Sequence, residues 1–262
     1  MRMAGMRAMK KPKWVVKKEQ DKRASAALTV WLFGLHAVRD ALQNPAREKL
    51  RLILTKNAMD RLGDVVAESG IEPEMADPRR FPQVIDAGSV HQGAVLEVKP
   101  LDWGGIDSVA GAGGVRPRLV LLDRVSDPHN VGAILRSAEV FGARAVIGTQ
   151  RHAAPETGAL AKTASGALER QPYIRVKNLG DTITLLKERG WQVLGLDGEA
   201  TGAVGEVVDR EGPVALVMGA EGPGLREKTK DLCTELVKIP YAGEFGSLNV
   251  SNAAAVALYA TL

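Results

Sequence analysis

The back of the chain alternates short apolar runs with segments of helical periodicity, and no other feature restricts the possible folds as strongly. Five runs of six or seven residues are predicted as strands: Arg118–Asp123, Ala143–Gly148, Trp191–Asp197, Pro213–Gly219 and Glu235–Pro240. Helices are predicted between and after them: Val131–Phe141, Asp181–Arg189, Leu225–Leu232 and Leu248–Leu262. Apolar strands that alternate with helices indicate a parallel sheet covered on both faces. The sequence therefore predicts an α/β fold over residues 118–262.

The front of the chain repeats this alternation on a smaller scale. Strands and helices are predicted at Leu28–Phe33, His36–Leu42, Lys49–Thr55, from the capping residue Asn57 to Ser69, and at Gly93–Pro100. These elements make a small α/β unit over residues 28–100, which lies within the size range of independent domains. Residues 101–117 contain five glycines and one proline, a composition that predicts a flexible linker and a domain boundary.

The basic charge of the chain is concentrated in residues 1–27. This segment has nine Lys or Arg and two Asp or Glu, a net charge of +7, whereas the whole chain has +4 and the remainder therefore −3. A basic segment without apolar periodicity is typical of a disordered tail. Two interpretations stay open: a tail that keeps the protein dissolved, and an arm that binds the phosphates of RNA or DNA.

Composition and patterning exclude several classes of protein. Cys233 is the only cysteine and the four histidines are scattered, so neither a disulfide framework nor a metal site is predicted. The first residues lack the apolar core of a secretory signal, although the absence of acids before Glu19 is compatible with a transit peptide. No uncharged stretch is apolar enough to cross a membrane. We therefore expect a cytoplasmic protein without a membrane or metal partner.

Polar residues and glycines follow three of the predicted strands, at the edge where open parallel sheets bind ligands. After the first strand, Asp127 is predicted as a helix N-cap and Pro128 as the first helical residue. Gly132 costs the helix about 1 kcal/mol relative to alanine, which we interpret as room for Arg136 or a ligand. Arg136 alone would be an ordinary surface arginine, but Asn130 and Gly132 beside it indicate a site.

Two further loops carry similar signals. Gly219–Leu225 reads GAEGPGL, in which glycines allow either a tight turn or the approach of the backbone to a ligand. Glu221 within it is harder to explain by turn chemistry alone. After the last predicted strand, Ser247 is predicted to cap the final helix, and Asn249 to lie in its first turn.

Three motifs in this order resemble those of the TrmH/SpoU branch of the SPOUT superfamily: N-x-G-x-x-x-R (130–136), G-x-E-G-x-G-L (219–225) and S-L-N-V-S (247–251). The resemblance covers about residues 118–262. The front unit, through FGLHAVRDAL (Phe33–Leu42), is similar to the small ribosomal-protein-like RNA-binding domain of RlmB-type members. The chain as a whole most resembles that group.

The resemblance implies an enzyme that transfers a methyl group from S-adenosylmethionine to a ribose 2′-oxygen of RNA, in the RlmB group a guanosine of 23S rRNA. It also implies a deep trefoil knot at the carboxyl end and a homodimer whose sites use both subunits. A tRNA ribose methylase and an antibiotic-resistance rRNA methylase are alternatives within the family. A Rossmann-type enzyme, suggested faintly by Leu196–Gly202, and a non-enzymatic ribosome-assembly factor that binds RNA are alternatives outside it.

The resemblance also assigns the site residues. The catalytic motif positions are Asn130, Arg136, Glu221, Asn249 and Ser247. The cofactor positions, which act mostly through the backbone, are Met218, Gly219, Gly224, Ile239, Pro240 and Leu248. The family's proposed base is the arginine, whose reference pKa is far too high for that role. Our hypothesis is that Arg136 binds a substrate phosphate and orients the 2′-hydroxyl.

Overall fold

A computed structural model describes residues 29–82, 85, 90–111, 116–243 and 247–262. The predicted tail over residues 1–27 and the first residue of the predicted strand Leu28–Phe33 lie outside these ranges. The described chain forms two sheets, one of four strands and one of seven. These sheets define an N-terminal and a C-terminal domain.

The N-terminal domain is a mixed sheet in the order β1-β4-β2-β3. Its strands are β1 (Val30–Phe33), β2 (Lys49–Leu54), β3 (Pro73–Met75) and β4 (Ala94–Val98), with helices α1 (Leu35–Gln43) and α2 (Lys56–Ser69). Strand β4 is antiparallel to both neighbours, and β3 is parallel to β2. The prediction that Asn57 caps α2 is wrong: the hydroxyl of Thr55 accepts the bond from the Ala58 amide at 3.3 Å.

The C-terminal domain is a fully parallel sheet in the order β7-β6-β5-β10-β8-β11-β9. Its strands are β5 (Arg118–Asp123), β6 (Ala145–Thr149), β7 (Tyr173–Val176), β8 (Gln192–Leu196), β9 (Gly202–Ala203), β10 (Val214–Gly219) and β11 (Glu235–Lys238). Its helices are α3 (Pro128–Val140), α4 (Gly158–Ala164), α5 (Leu179–Glu188), α6 (Val204–Val207), α7 (Glu227–Lys230) and α8 (Val250–Ala260).

The sheet of the C-terminal domain is buried on both faces, which confirms the predicted layer architecture. Leu119 and Leu121 on β5 point into the core on the α5 side, whereas Val120 and Leu122 point into the core shared with α3, α4 and α8. Strands β5, β6, β8 and β10 bury residues of both parities, so their sequences are mostly apolar. The sequence patterns do not predict β7, β9, α4 or α6, and the predicted helix Leu225–Leu232 is longer than α7.

The glycine-rich segment between the domains lies on the C-terminal domain over its described part. Ala110 is fully buried, and its carbonyl accepts a bond from the Trp191 indole at 2.9 Å. Asp107 accepts a bond from the Arg189 guanidinium at 2.5 Å. These contacts attach residues 101–111 to the face that α5 also covers. The segment therefore contributes to the core on that side of the sheet.

A buried ion pair joins the two domains. The Arg47 guanidinium, from the loop before β2, donates to both carboxylate oxygens of Glu169 at 3.0 and 2.7 Å and to Glu156 at 3.3 Å. Asn44 adds a 2.9 Å bond to the same Glu169 carboxylate. Because Arg47 and both acids are buried, this network fixes how the N-terminal domain sits on the C-terminal one. Within the described ranges, no helix is long and apolar enough to cross a membrane.

Candidate active site

Three loops that leave the same edge of the large sheet carry the predicted site residues. Strands β5 and β10 are parallel neighbours in register, with Asp123 opposite Gly219, and β11 lies two strands beyond β10. From β5 the chain runs outward through β6 and β7, whereas β10 belongs to the other half of the sheet. This change of direction between β5 and β10 is the position where open parallel sheets bind ligands.

The amide of Asn249 brings these loops together. Its Nδ2 donates to Oδ1 of Asn130 at 3.0 Å and to the carboxylate of Glu221. Its Oδ1 accepts bonds from the Ser251 amide at 2.9 Å and from the Ser251 hydroxyl at 2.5 Å. Three of the predicted catalytic residues, far apart in sequence, therefore form one hydrogen-bonded cluster, which we call the amide cluster.

The same bonds correct the prediction for the start of the last helix. Asn249, rather than Ser247, is the N-cap of α8, because its side-chain oxygen accepts the Ser251 N–H. Ser247 lies two residues earlier and is exposed. Asn249 therefore both begins α8 and belongs to the amide cluster.

The start of α3 agrees with the prediction. The Asp127 carboxylate accepts bonds from the amides of His129 at 2.6 Å and Asn130 at 3.1 Å, and Pro128 is the first helical residue. The cap holds Asn130 in the first turn, directly beyond the end of β5. Local turn chemistry thus positions one member of the amide cluster.

The glycines of the loop after β10 are needed for the turn itself. The Gly224 amide donates to the Ala220 carbonyl at 2.9 Å, and a Cβ at Gly219 would lie 2.6 Å from the Gly224 carbonyl oxygen. Gly222 and Gly224 have φ of +82° and +69°, which other residues seldom adopt. The tight turn presents Glu221 at its exposed tip, towards Asn249.

A buried carboxylate ties this loop to the neighbouring strand, and the sequence reading missed it. Asp123, the last residue of β5, is 1% exposed and accepts bonds from the Arg226 backbone amide at 3.1 Å and its Nε at 2.7 Å. The available signal was an acid that ends an otherwise apolar strand. The pair holds the end of the Glu221 loop against the strand that leads to Asn130.

Arg136 does not join the amide cluster within the described chain. It is exposed on α3, six residues beyond Asn130, or about 9 Å along the helix axis. The expectation that Gly132 makes room for Arg136 or a ligand is wrong. A Cβ at Gly132 would lie 2.6 Å from the Leu160 carbonyl oxygen and 2.9 Å from the Cβ of Thr163, so the glycine permits close packing of α3 on α4.

The predicted cofactor positions differ in what they can offer. Met218 is buried in the core, so only its backbone is available, whereas Gly219 and Ile239 are half-buried and Gly224 and Pro240 are exposed. Two large apolar side chains at this edge are about half exposed: Leu248 at 48% and Tyr241 at 49%. Exposed apolar groups beside a glycine turn suit a ligand that combines a flat ring with polar groups.

Comparison with known proteins decides the family. Residues 117–259 match the SpoU rRNA Methylase family, and residues 31–103 match the RNA 2′-O ribose methyltransferase substrate-binding domain. The chain belongs to the SpoU rRNA methylase family. It is therefore an RNA 2′-O-ribose methyltransferase by membership, and the predicted resemblance is confirmed.

Curated SpoU relatives match over nearly their whole length. The chain is 39% identical over 235 residues to the 23S rRNA (guanosine-2′-O-)-methyltransferase RlmB of Photobacterium profundum, covering 87% of this chain and 95% of that protein. The RlmB protein of Ralstonia nicotianae is 40% identical over 233 residues, with coverages of 87% and 93%. Both domains are included in these matches.

Two solved methyltransferase structures have the same fold. AviRb from Streptomyces viridochromogenes, in complex with AdoMet, superimposes with a TM-score of 0.75 at 24% identity and covers 92% of each chain. An AdoMet-bound rRNA methyltransferase from Sinorhizobium meliloti gives 0.73 at 23% identity, covering 95% and 94%.

The Rossmann alternative is wrong. Its glycine-loop lookalike, Leu196–Gly202, is an ordinary turn in which Asp197 accepts bonds from the Glu199 amide at 3.0 Å and from Lys230 at 2.8 Å. The bond from Lys230 holds the pKa of the Asp197 carboxyl below its usual value. The contact with Lys230 accounts for Asp197 without a bound nucleotide, and the chain belongs to the SpoU family.

Proposed function

We propose that this protein transfers a methyl group from S-adenosylmethionine to the ribose 2′-oxygen of a guanosine in 23S rRNA. The observation that carries the proposal is the amide cluster of Asn130, Glu221 and Asn249 at the point where the sheet order reverses. Relatives that match over both domains bear this activity in their names.

The residues at this edge fit S-adenosylmethionine. Backbone groups of Gly219 and Gly224 would hold its polar parts, and Ile239, Pro240 and Leu248 would pack on its adenine, while Met218 contributes backbone only. When bound, the cofactor supplies an electrophilic methyl group on a sulfonium, so no metal is required to activate the leaving group.

The chain's own groups would position the ribose. Asn249 has both amide atoms engaged, and it holds Asn130 so that the Nδ2 of Asn130 remains available to donate to the ribose. Glu221 fixes Asn249 further by accepting a second bond from the same Nδ2. Ser247, exposed at the start of this segment, would contribute only a hydroxyl at the rim. Alignment of this kind supplies much of the rate in a transfer between two bound molecules.

Arg136 would bind a substrate phosphate and orient the 2′-hydroxyl, whose proton passes to that phosphate or to water. Its distance along α3 from the amide cluster supports a further proposal, that each site uses both subunits of a homodimer. The surface for such a dimer lies at the end of α3 and on α8. Val140 and Tyr259 there are 71% and 67% exposed, and Phe141 packs against the Tyr259 ring.

The dimer is tested by sedimentation of wild type and of Tyr259→Asp, which places a charge on this apolar surface. We expect a dimer for the wild type and a monomer with much reduced activity for the variant. A monomeric wild type with full activity would overturn the dimer proposal. The family's trefoil knot is proposed as well, supported by α8, which follows β11 yet packs on α3 and on β10. Tracing residues 239–249 in a crystal structure tests it.

We also propose the roles of the remaining parts. Residues 28–100 bind the RNA substrate, residues 101–117 connect the domains, residues 118–262 carry the methyl transfer, and residues 1–27 are a basic arm. The protein would act in the cytoplasm, where ribosomal RNA is modified.

Deleting residues 1–27 should weaken RNA binding and flatten its salt dependence if the arm binds phosphates.

The decisive experiment measures transfer of labelled methyl from S-adenosylmethionine to 23S rRNA, 16S rRNA and tRNA transcripts, followed by mapping of the 2′-O-methylated nucleotide. We expect label in 23S rRNA at a guanosine. Label confined to tRNA would favour the tRNA alternative, and a different 23S nucleotide would favour the resistance alternative. Tight binding without any label would identify an assembly factor.

A further inference from the structure

Four residues other than glycine adopt left-handed backbone conformations in the described chain: Gln92, Arg116, Arg124 and Ser165. Such a conformation is unfavourable for a residue with a Cβ, whereas glycine adopts it freely. A side chain retained there raises the question of what it contributes that glycine could not. The four positions can therefore be compared by asking what each side chain contacts.

Two of them have clear structural reasons. Gln92 accepts a bond from the Leu35 amide at 3.2 Å, at the start of α1. Ser165 ends α4 as its left-handed capping residue, and its amide donates to Ala161 and Lys162. Both therefore stabilise the end of a helix, Gln92 through its side chain and Ser165 through its backbone.

Arg116 also has a structural reason, and it offers a matched comparison. The backbone of Arg116 has φ +41°. Its guanidinium donates to the carbonyls of Leu262 at 2.7 Å and Thr261 at 2.8 Å. These bonds satisfy carbonyl groups at the end of α8. Replacing Arg116 would remove contacts within the fold.

Arg124 differs from Gln92 and Arg116, whose side chains form bonds within the fold, and from Ser165, which ends a helix. It has φ +62° and is exposed, and no residue that the structure describes forms a hydrogen bond or an ion pair with it. Its neighbours Asp123 and Val125 are both buried, so the backbone is held on each side while the guanidinium faces solvent. Nothing within the described fold accounts for an arginine where glycine would be more favourable.

The position of Arg124 beside the active site explains why an arginine is retained there. It is the first residue after β5, beside Asp123, which lies opposite Gly219 at the end of β10. The loop that it begins leads to Asn130, and the loop beyond Gly219 carries Glu221. Arg124 therefore begins one of the three loops that form the active site, at the rim of the site and next to the end of β10.

We propose that Arg124 binds a phosphate of the RNA backbone beside the nucleotide to be methylated. The inference rests on the proposed function, because it takes RNA as the substrate. A planar guanidinium with free donors matches two phosphate oxygens at once. An unfavourable backbone at the rim of a site is then explained by a contact that forms only with substrate.

The test compares Arg124→Gly with Arg116→Gly. Glycine removes the guanidinium and suits the backbone at both positions, so only the side chain's contacts distinguish them. For Arg124→Gly we expect an unchanged or raised melting temperature, and binding of a 23S rRNA transcript weakened about tenfold. The slope of log affinity against log salt, measured between about 50 and 200 mM, should fall by about 1. Arg124→Lys should keep the salt slope.

Arg116→Gly should give the opposite pattern, with a lowered melting temperature and unchanged RNA affinity below that temperature. The inference is overturned if Arg124→Gly binds the transcript with wild-type affinity and salt slope, or if its melting temperature falls as it does for Arg116→Gly. Methyl transfer by the wild type distinguishes a failure of this inference from a failure of the proposed function. An active wild type with a normal Arg124→Gly variant would contradict this inference alone, and an inactive wild type would contradict the proposed function.

Discussion

The two atoms of the Asn249 side-chain amide have different roles. The oxygen caps α8, and the nitrogen holds Asn130 and Glu221. A substitution that removes both roles cannot show which one matters to the reaction. Serine caps a helix but has no amide nitrogen, so a serine at this position separates the two roles.

We therefore predict different outcomes for two variants of Asn249. Asn249→Ser should keep the free energy of unfolding within about 0.5 kcal/mol, because serine caps well, yet lower turnover about a hundredfold because the positioning donor is lost. Asn249→Ala should lose activity to the same extent and also about 1 kcal/mol of stability. Denaturant unfolding and methyl-transfer kinetics measure both quantities. Wild-type turnover in Asn249→Ser would contradict a role for the amide cluster in catalysis.

Arg136 permits a second prediction at this scale. Arg136→Lys keeps the positive charge but loses the planar fork that can hold a phosphate and a hydroxyl together. We expect RNA affinity at low salt to change little, and kcat to fall at least about tenfold. Single-turnover methylation at saturating RNA measures this directly. Near-normal turnover would mean that Arg136 contributes charge alone.

Among the structural elements, the contact between α3 and α4 depends on a missing side chain. A Cβ at Gly132 would meet the backbone oxygen of Leu160, which cannot move without displacing α4. By contrast, a Cβ at Gly63 on α2 would have nothing within 4 Å. The two helical glycines thus have opposite surroundings.

We predict that Gly132→Ala lowers the free energy of unfolding by about 1–2 kcal/mol, because crowding outweighs the gain of about 1 kcal/mol in helix propensity. Gly63→Ala should raise it by about 0.5–1 kcal/mol, since only the propensity changes. Denaturant titration of both variants tests the pair. Equal stabilisation by the two substitutions would contradict the close packing of α3 on α4.

At the scale of the whole molecule, the relative placement of the domains depends on buried charge. Arg47 is paired through two bonds with Glu169 and through one longer bond with Glu156. Burial raises the pKa of the Glu156 carboxyl, an effect that Arg47 opposes. A raised pKa in the folded state stabilises the fold below the unfolded pKa of Glu156, and this contribution is lost as the pH rises through the folded value.

We predict that Glu169→Gln costs about 3 kcal/mol at pH 7, because Arg47 remains buried without its main partner. Glu156→Gln should change stability by less than about 1 kcal/mol at pH 7, since Arg47 retains Glu169. It should also remove the loss of stability that the wild type undergoes as Glu156 ionises. Unfolding followed from about pH 4 to pH 8 measures both. Equal losses in the two variants would show that the acids share Arg47 evenly.

The fold class and the loops that carry the chemistry could be predicted because they depend on nearby residues. The apolar run Arg118–Asp123 and the cap at Asp127 with Pro128 are local patterns, and the structure has them at the predicted positions. The cap of α8 could not be chosen locally, because Ser247 and Asn249 are both good capping residues. In the folded chain Asn249 caps the helix, and the same side chain contacts Asn130, which lies 119 residues earlier.

The sequence by itself thus determined a two-domain α/β architecture of the SpoU type and three loops at one sheet edge. Only the tertiary structure decided what the side chains of those loops contact. It placed Asn130 and Glu221 on Asn249, assigned Gly132 to helix packing, and left Arg124 facing solvent at the rim. The physical reason is that periodicity and turn propensity act over a few residues, whereas burial and hydrogen bonding depend on groups that meet only after the chain has folded.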